Sequence, residues 1–167
     1  MGHGLTGAAL GLLATPAGAG RGRLLATLVA FAALANIPDL PLPGWGHSRY
    51  DISHSVFVNL PLALVLALAL WRWRGLRLRV TLLGAAAWCS HLLLDSMYNH
   101  GKGVAIFWPL SAGRLALPLP WFSTAHGPLW RPDLHLLKVM AVELAFYGAL
   151  FLVGAGLRRF VVHRAAG

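Results

Sequence analysis

Acidic side chains are scarce in this chain: five Asp and Glu against fourteen Lys and Arg among 167 residues, so each carboxylate is informative. Cysteine is nearly missing too. Cys89 stands alone inside an apolar run, which excludes an intrachain disulfide and reads as a small packing residue. Charged residues of both signs make up only 11%, where a soluble domain carries about a quarter. Water is therefore the wrong solvent for most of this surface.

Apolar residues are what the chain has in quantity. They are 57% of it, and the mean hydropathy is +0.65. Five apolar segments stand out, at about 5–19, 24–37, 52–71, 80–99 and 134–157. They predict an all-α fold, a polytopic membrane bundle of about five helices forming one membrane-embedded domain over 1–167. The first two segments are short, since fifteen helical residues rise about 22 Å against a hydrocarbon core near 30 Å. They are expected to form a hairpin packed inside the bundle. Gly7-Ala8-Ala9-Leu10-Gly11 is a small-xxx-small pattern that lets another helix approach closely. No Lys or Arg precedes the first apolar core, so residues 1–20 read as a retained helix rather than a cleaved leader, which would carry its basic residues in front.

The basic residues set the expected topology. Nine of the fourteen fall in three clusters: Arg21 and Arg23; Arg72, Arg74, Arg77 and Arg79; Arg158, Arg159 and Arg164. Threading five helices puts all three on one side, which the Lys/Arg bias assigns to the cytoplasm. The N-terminus and segments 38–51 and 100–133 fall on the other. Basic clusters spaced between apolar runs argue against nucleic acid as a partner. Membrane lipid is the expected surrounding. Segment 101–133 carries Pro109, Pro118, Pro120, Pro128 and Pro132 with Trp108, Trp121 and Trp130 among them. Proline prevents a long regular helix and tryptophan favours the membrane–water boundary, so the segment reads as an outer loop lying in the interface.

Polar groups at membrane depth are costly and usually serve function or a paired structural role. His91 and Asp95 are four apart on an apolar helix, which places both on one face and lets them chelate one ion. Asp39 ends the second segment, His54 opens the third, His3 opens the first, and His100 follows the fourth. The arginine-based threading brings all six to the outer face. Imidazoles and carboxylates without thiolates suit zinc or manganese, and six donors leave room for one or two ions. Asp51, three residues before His54, could orient that imidazole or cap the third helix. Arg49 could hold an anionic substrate group. His47, His126 and His135 lie on the outer side without defining context, His163 lies on the cytoplasmic tail, and Glu143 lies well inside the fifth helix.

Pro38-Asp39, Tyr50-Asp51-Ile52-Ser53-His54-Ser55, His91-Leu92-Leu93-Leu94-Asp95 with His100, Phe107-Trp108-Pro109-Leu110-Ser111 and the opening Gly2-His3-Gly4-Leu5-Thr6-Gly7 together resemble bacterial inner-membrane proteins assigned as metal-dependent hydrolases. The resemblance spans residues 3 to about 111. That family is in turn distantly similar to zinc-dependent phospholipase C and the single-strand-specific nucleases. The resemblance implies phosphoester hydrolysis, with His3, Asp39, His54, His91, Asp95 and His100 as metal ligands.

The leading expectation is a metal-dependent hydrolase at the outer face of the cytoplasmic membrane, acting on a phosphoester, lipid or lipid-linked given the setting. Arg49 and Asp51 are its candidate catalytic residues. A rival class is a non-enzymatic metal-binding or transport-associated protein. A conduit would need polar residues continuing to the cytoplasmic end, and residues 60–70 and 82–88 are almost wholly apolar. A third class, an assembly or regulatory subunit, would need the helices and no metal.

Overall fold

The computed structural model describes residues 1–98, 103–117, 119, 122–123 and 133–166, the last six by backbone only. Among these the fold is all-α, with an isolated bridge between Val104 and Leu115 as its one pairing of extended chain. Six helices follow in order: α1 (Gly2–Ala14), α2 (Arg21–Leu34), the single-turn α3 (Tyr50–Ser53), α4 (Val56–Arg74), α5 (Leu78–Asp95) and α6 (Leu134–Ala166). Two 3-10 turns, Ile37–Asp39 and Gly46–Arg49, lie between α2 and α3.

The five expected apolar segments each form a helix, with shifted ends. α1 stops at Ala14 because Thr15 precedes Pro16 and is extended, with φ −76° and ψ 125°. The third segment divides. Ser55 is extended and its hydroxyl accepts from the Phe57 amide, which makes it the N-cap of α4. The turn Tyr50–Ser53 therefore stands apart as α3, and His54 sits at the break between two helices. Asn59 secures that break: its amide nitrogen donates to the carbonyls of Ser53 (2.7 Å) and Ser55 (2.9 Å), and its oxygen accepts from Trp88 Nε1 at 2.8 Å. This buried amide ties the start of α4 to the middle of α5.

α1 packs against α2, α5 and α6, while α4 packs against α5. Close approach of α1 and α2 depends on Gly7 and Gly11. A Cβ on Gly7 would stand 2.3 Å from the Phe31 carbonyl oxygen, and one on Gly11 3.2 Å from Phe31 Cβ. The small-xxx-small reading thus describes a real helix contact. Small and aromatic residues fill the core, with Ala63, Ala67, Ala85 and Trp88 in one cluster and Leu94, Tyr98, Phe122 and Tyr147 in another. Cys89 packs against the first, as its apolar setting suggested.

Among the described residues, α4 and the Leu134–Phe160 part of α6 are long and apolar enough to cross a membrane. Their outer faces expose Leu62, Val65, Leu68, Leu144 and Leu152, a surface suited to hydrocarbon. The thirteen residues of α1 and fourteen of α2 reach only about 20 Å. Arg79 at the start of α5 donates to the Leu13 carbonyl (3.2 Å), and Arg158 near the end of α6 donates to Pro16 (3.3 Å). The end of α1, the start of α5 and the basic part of α6 thus share one end of the bundle.

Of segment 101–133, the described portion docks on the helices. The Val56 amide donates to Ile106 (2.8 Å), the Ser55 hydroxyl donates to the Trp108 carbonyl, and the Leu117 and Leu119 amides donate to Ser96 and Met97 (2.6 and 3.1 Å). Pro118, Pro120, Trp121, Pro128, Trp130 and Pro132 lie outside the described residues, as do His100 and His126.

Candidate metal centre

Four side chains converge at the end of the bundle opposite the arginines. Asp39 comes from the 3-10 turn after α2, His54 from the break before α4, and His91 and Asp95 from the last turns of α5. One donor atom from each lies within 4.8 Å of all the others. His54 Nε2 is 3.3 Å from Asp39 Oδ1 and 3.2 Å from Asp95 Oδ2. His91 Nε2 is 3.5 Å from Asp39 Oδ2 and 3.7 Å from Asp95 Oδ2. The two Nε2 atoms face each other at 3.3 Å.

The hydrogen bonds behind the imidazoles fix what those Nε2 atoms carry. His91 Nδ1 lies 2.8 Å from the Ala35 carbonyl. A carbonyl only accepts, so Nδ1 holds the proton and Nε2 of the neutral ring presents a lone pair to the cluster. His54 Nδ1 lies 2.7 Å from Ser53 Oγ, and that hydroxyl gives its one proton to the Gly46 carbonyl at 3.0 Å. The serine oxygen must accept from Nδ1, so His54 Nε2 is also bare when neutral. Two lone pairs at 3.3 Å, flanked by two carboxylates, repel unless a cation lies among them.

A divalent ion fits that demand. Donors bound at about 2.0–2.1 Å to a tetrahedral ion stand roughly 3.3 Å apart; the imidazole–carboxylate separations run from 3.2 to 3.7 Å counting both Asp39 oxygens, and one donor atom from each of the four lies within 4.8 Å of the rest. Ligating imidazoles typically donate their other N–H to a carbonyl or similar acceptor, as both do here. Asp39 Oδ1 is buried without a hydrogen-bond partner among the described residues, and as a cation ligand it would be satisfied. Both imidazoles are fully buried, while the Asp39 side chain is 34% exposed, so the approach to the cluster is over Asp39.

Burial alone would raise the Asp39 carboxyl, but the facing imidazoles of His54 and His91 outweigh it and hold the group well below the ordinary carboxylate range. Burial pulls the His54 imidazole down, and Asp39 and Asp95 more than reverse this, leaving it above its ordinary value. A proton and a metal ion therefore compete for His54 Nε2.

His3 stands beside the four rather than among them. Its Nε2 meets the other Asp95 oxygen, Oδ1, at 2.9 Å, and its ring stands edge-on to His91 at 4.0 Å between centroids. His100 lies outside the described residues. Arg49 is exposed and points to the half-buried Asp51, 3.7 Å away. The residue behind His54 is Ser53, not Asp51. Glu143 accepts from the Gly2 amide (3.2 Å) and from the Tyr98 hydroxyl (2.9 Å), holding the start of α1 against α6.

Tyr50 was not singled out by sequence, yet its hydroxyl donates to Asp95 Oδ2 at 3.0 Å and its ring stacks on His54 at 3.8 Å. Burial first, then the Asp95 carboxylate, push the phenol well above its ordinary range, so it stays a donor. A signal existed in its position four residues before His54. His47, exposed at 76%, reaches Asp39 Oδ1 at 3.5 Å and forms the outer rim.

A family model described as YdjM inner membrane protein matches residues 1–161. Its description names a membrane and no reaction. Comparison with curated proteins and with solved structures finds no match.

Proposed function

The chain belongs to the YdjM inner membrane protein family, and on that premise we propose that it is a metal-dependent phosphoester hydrolase, multi-pass in the cytoplasmic membrane with its site on the non-cytoplasmic side. Asp39, His54, His91 and Asp95 would hold the ion, with zinc favoured by a small nitrogen-and-oxygen donor set at tetrahedral spacing. The observation that carries this reading is the pair of Nε2 lone pairs held face to face by the Ala35 carbonyl and Ser53. His3, placed on the second Asp95 oxygen, would steady that carboxylate or, with His100, complete a second ion's donors.

A bound divalent cation supplies Lewis acidity that ionises a water near neutral pH and polarises a phosphoryl oxygen. The chain's own groups do the rest. Tyr50 holds Asp95 and offers its protonated phenol beside the cluster. Arg49, exposed at the rim beside Asp51, would attract the anionic substrate. Residence in a membrane, with entry over Asp39 at one end of the bundle, is what supports a lipid or lipid-linked phosphoester over a soluble one.

The test is metal content by inductively coupled plasma mass spectrometry on protein purified in detergent, with hydrolysis of a chromogenic phosphodiester measured alongside. Near-stoichiometric zinc and metal-dependent turnover are expected, both lost in His91→Ala and Asp95→Ala while helical circular dichroism persists. Bound metal without turnover on phosphoesters would favour the non-enzymatic metal-binding class. Absence of metal under zinc-replete expression would end the reading.

A further inference from the structure

A second feature runs from the middle of the bundle towards the arginine end, between α2 and α4 where both flank α5. Ala30 and Leu34 of α2, Leu66 and Leu70 of α4, and Gly84 and Trp88 of α5 line a cavity of about 150 Å³. Its walls offer no free polar group. The Thr81 hydroxyl is spent on the Leu78 carbonyl (2.9 Å) and the Trp88 N–H on Asn59 (2.8 Å). A polar ligand would gain nothing there and lose its hydration. Hydrocarbon fits. From Val80 to Trp88, both on the wall, the groove follows α5 for about 12 Å, and its rim residues Ala30 and Leu66 are exposed.

The basic end of this groove carries charge of one sign. Leu70 and Leu76 line it, and Arg72, Arg74, Arg77 and Arg79 stand next to them in sequence, all exposed. The acidic residues that could neutralise them, Asp39, Asp51, Asp95, Asp133 and Glu143, lie elsewhere in the chain. Arg77 is also the N-cap of α5, with no side-chain cap on the helix and no acidic residue in its first turn, so amide dipoles add to the positive field. An apolar groove ending at an arginine cluster and a helix N-terminus matches one ligand shape: an acyl chain with a phosphate headgroup at its end.

We propose that this groove binds one anionic phospholipid, its acyl chain between α2 and α4 and its phosphate on Arg72 and Arg77. Its headgroup end lies among the arginines, away from the metal centre, while its inner end at Leu34 and Trp88 comes within a helical turn of Ala35 and His91. Because α2 ends at the turn bearing Asp39 and α4 begins beside His54, a chain seated between them would brace two of the elements that carry the cluster.

Native mass spectrometry of the purified chain, titrated in detergent with phosphatidylglycerol or with phosphatidylcholine of the same acyl chains, tests it. One phosphatidylglycerol should be retained in preference to phosphatidylcholine. Arg72→Gln with Arg77→Gln should weaken phosphatidylglycerol by about 30-fold, the size expected of two surface arginines, and leave phosphatidylcholine nearly unchanged. Ala30→Phe, which fills the groove from an exposed position, should lower retention of both lipids; its helical signal and monodispersity in detergent serve as the check on folding. Equal retention of the two lipids, or retention unaltered by Ala30→Phe in a folded protein, would overturn the proposal.

Discussion

Ser53 does more at this site than its size suggests. By giving its only proton to Gly46 it leaves its oxygen to accept from His54 Nδ1, and so decides which nitrogen of that ring faces Asp39 and Asp95. Ser53→Ala is expected to lower zinc affinity by about tenfold to a hundredfold, the range for losing such a supporting hydrogen bond, read by competition with a chromogenic chelator. Gly46 belongs to the same device. Its φ is +57°, and a Cβ there would stand 2.4 Å from the Leu40 carbonyl oxygen, so Gly46→Ala should disturb the carbonyl that orients Ser53 and weaken metal binding alongside. Protons act on the same atoms. His54 is held above its ordinary value by two carboxylates, so as pH falls it protonates earlier than a free imidazole would, and the metal must displace that proton. Zinc affinity should therefore fall by about tenfold per pH unit once below that raised value. In Asp39→Asn the onset should move to lower pH, because one of the raising carboxylates is gone. An affinity flat from pH 8 to pH 5 would show that His54 is not a ligand.

At the scale of the elements, the contact that matters most is between α1 and α2. Gly7 meets the Phe31 carbonyl oxygen, which is backbone and cannot swing aside. Gly7→Val should force the helices apart and cost about 1–3 kcal/mol, seen as a lower melting temperature in detergent. Since α1 carries His3 and α2 leads into Asp39, the same variant should also loosen zinc. By contrast Gly22, whose added Cβ would meet nothing within 4 Å, should accept alanine at no cost. The sequence made the helices legible because apolar length is a property of the chain alone. It did not show the break at Ser53–Ser55, since no proline or glycine stands at it and the third apolar run continues past. What interrupts the helix there is tertiary: Asn59 takes both carbonyls, and the Trp108 carbonyl draws the Ser55 hydroxyl.

For the whole molecule, charge and chemistry occupy opposite ends. Arg79 lies in the first turn of α5 and Asp95 closes the helix, about 24 Å apart by helical rise. Arginines retained on the cytoplasmic side would place the cluster outside. In a Cys89→Ser background, a cysteine placed at His47 should react with a membrane-impermeant maleimide in intact cells, and one at Arg74 only after permeabilisation. The reverse pattern would invert the topology and move the substrate pool to the cytoplasm.

The sequence alone determined the helical class, a surface suited to a membrane, and the ends at which the basic side chains and the candidate metal ligands gather, because these follow from where apolar runs stop and charges begin. It also picked out Asp39, His54, His91 and Asp95, since ionisable groups are rare in such a chain and stand out at helix ends. Only the tertiary structure decided which of them share one point, that His3 meets Asp95 from the side, and that Ser53 and Tyr50 rather than Asp51 support the histidine and the aspartate. Those outcomes depend on the direction of individual hydrogen bonds between segments far apart in the chain, and no local pattern of residues encodes a direction in space.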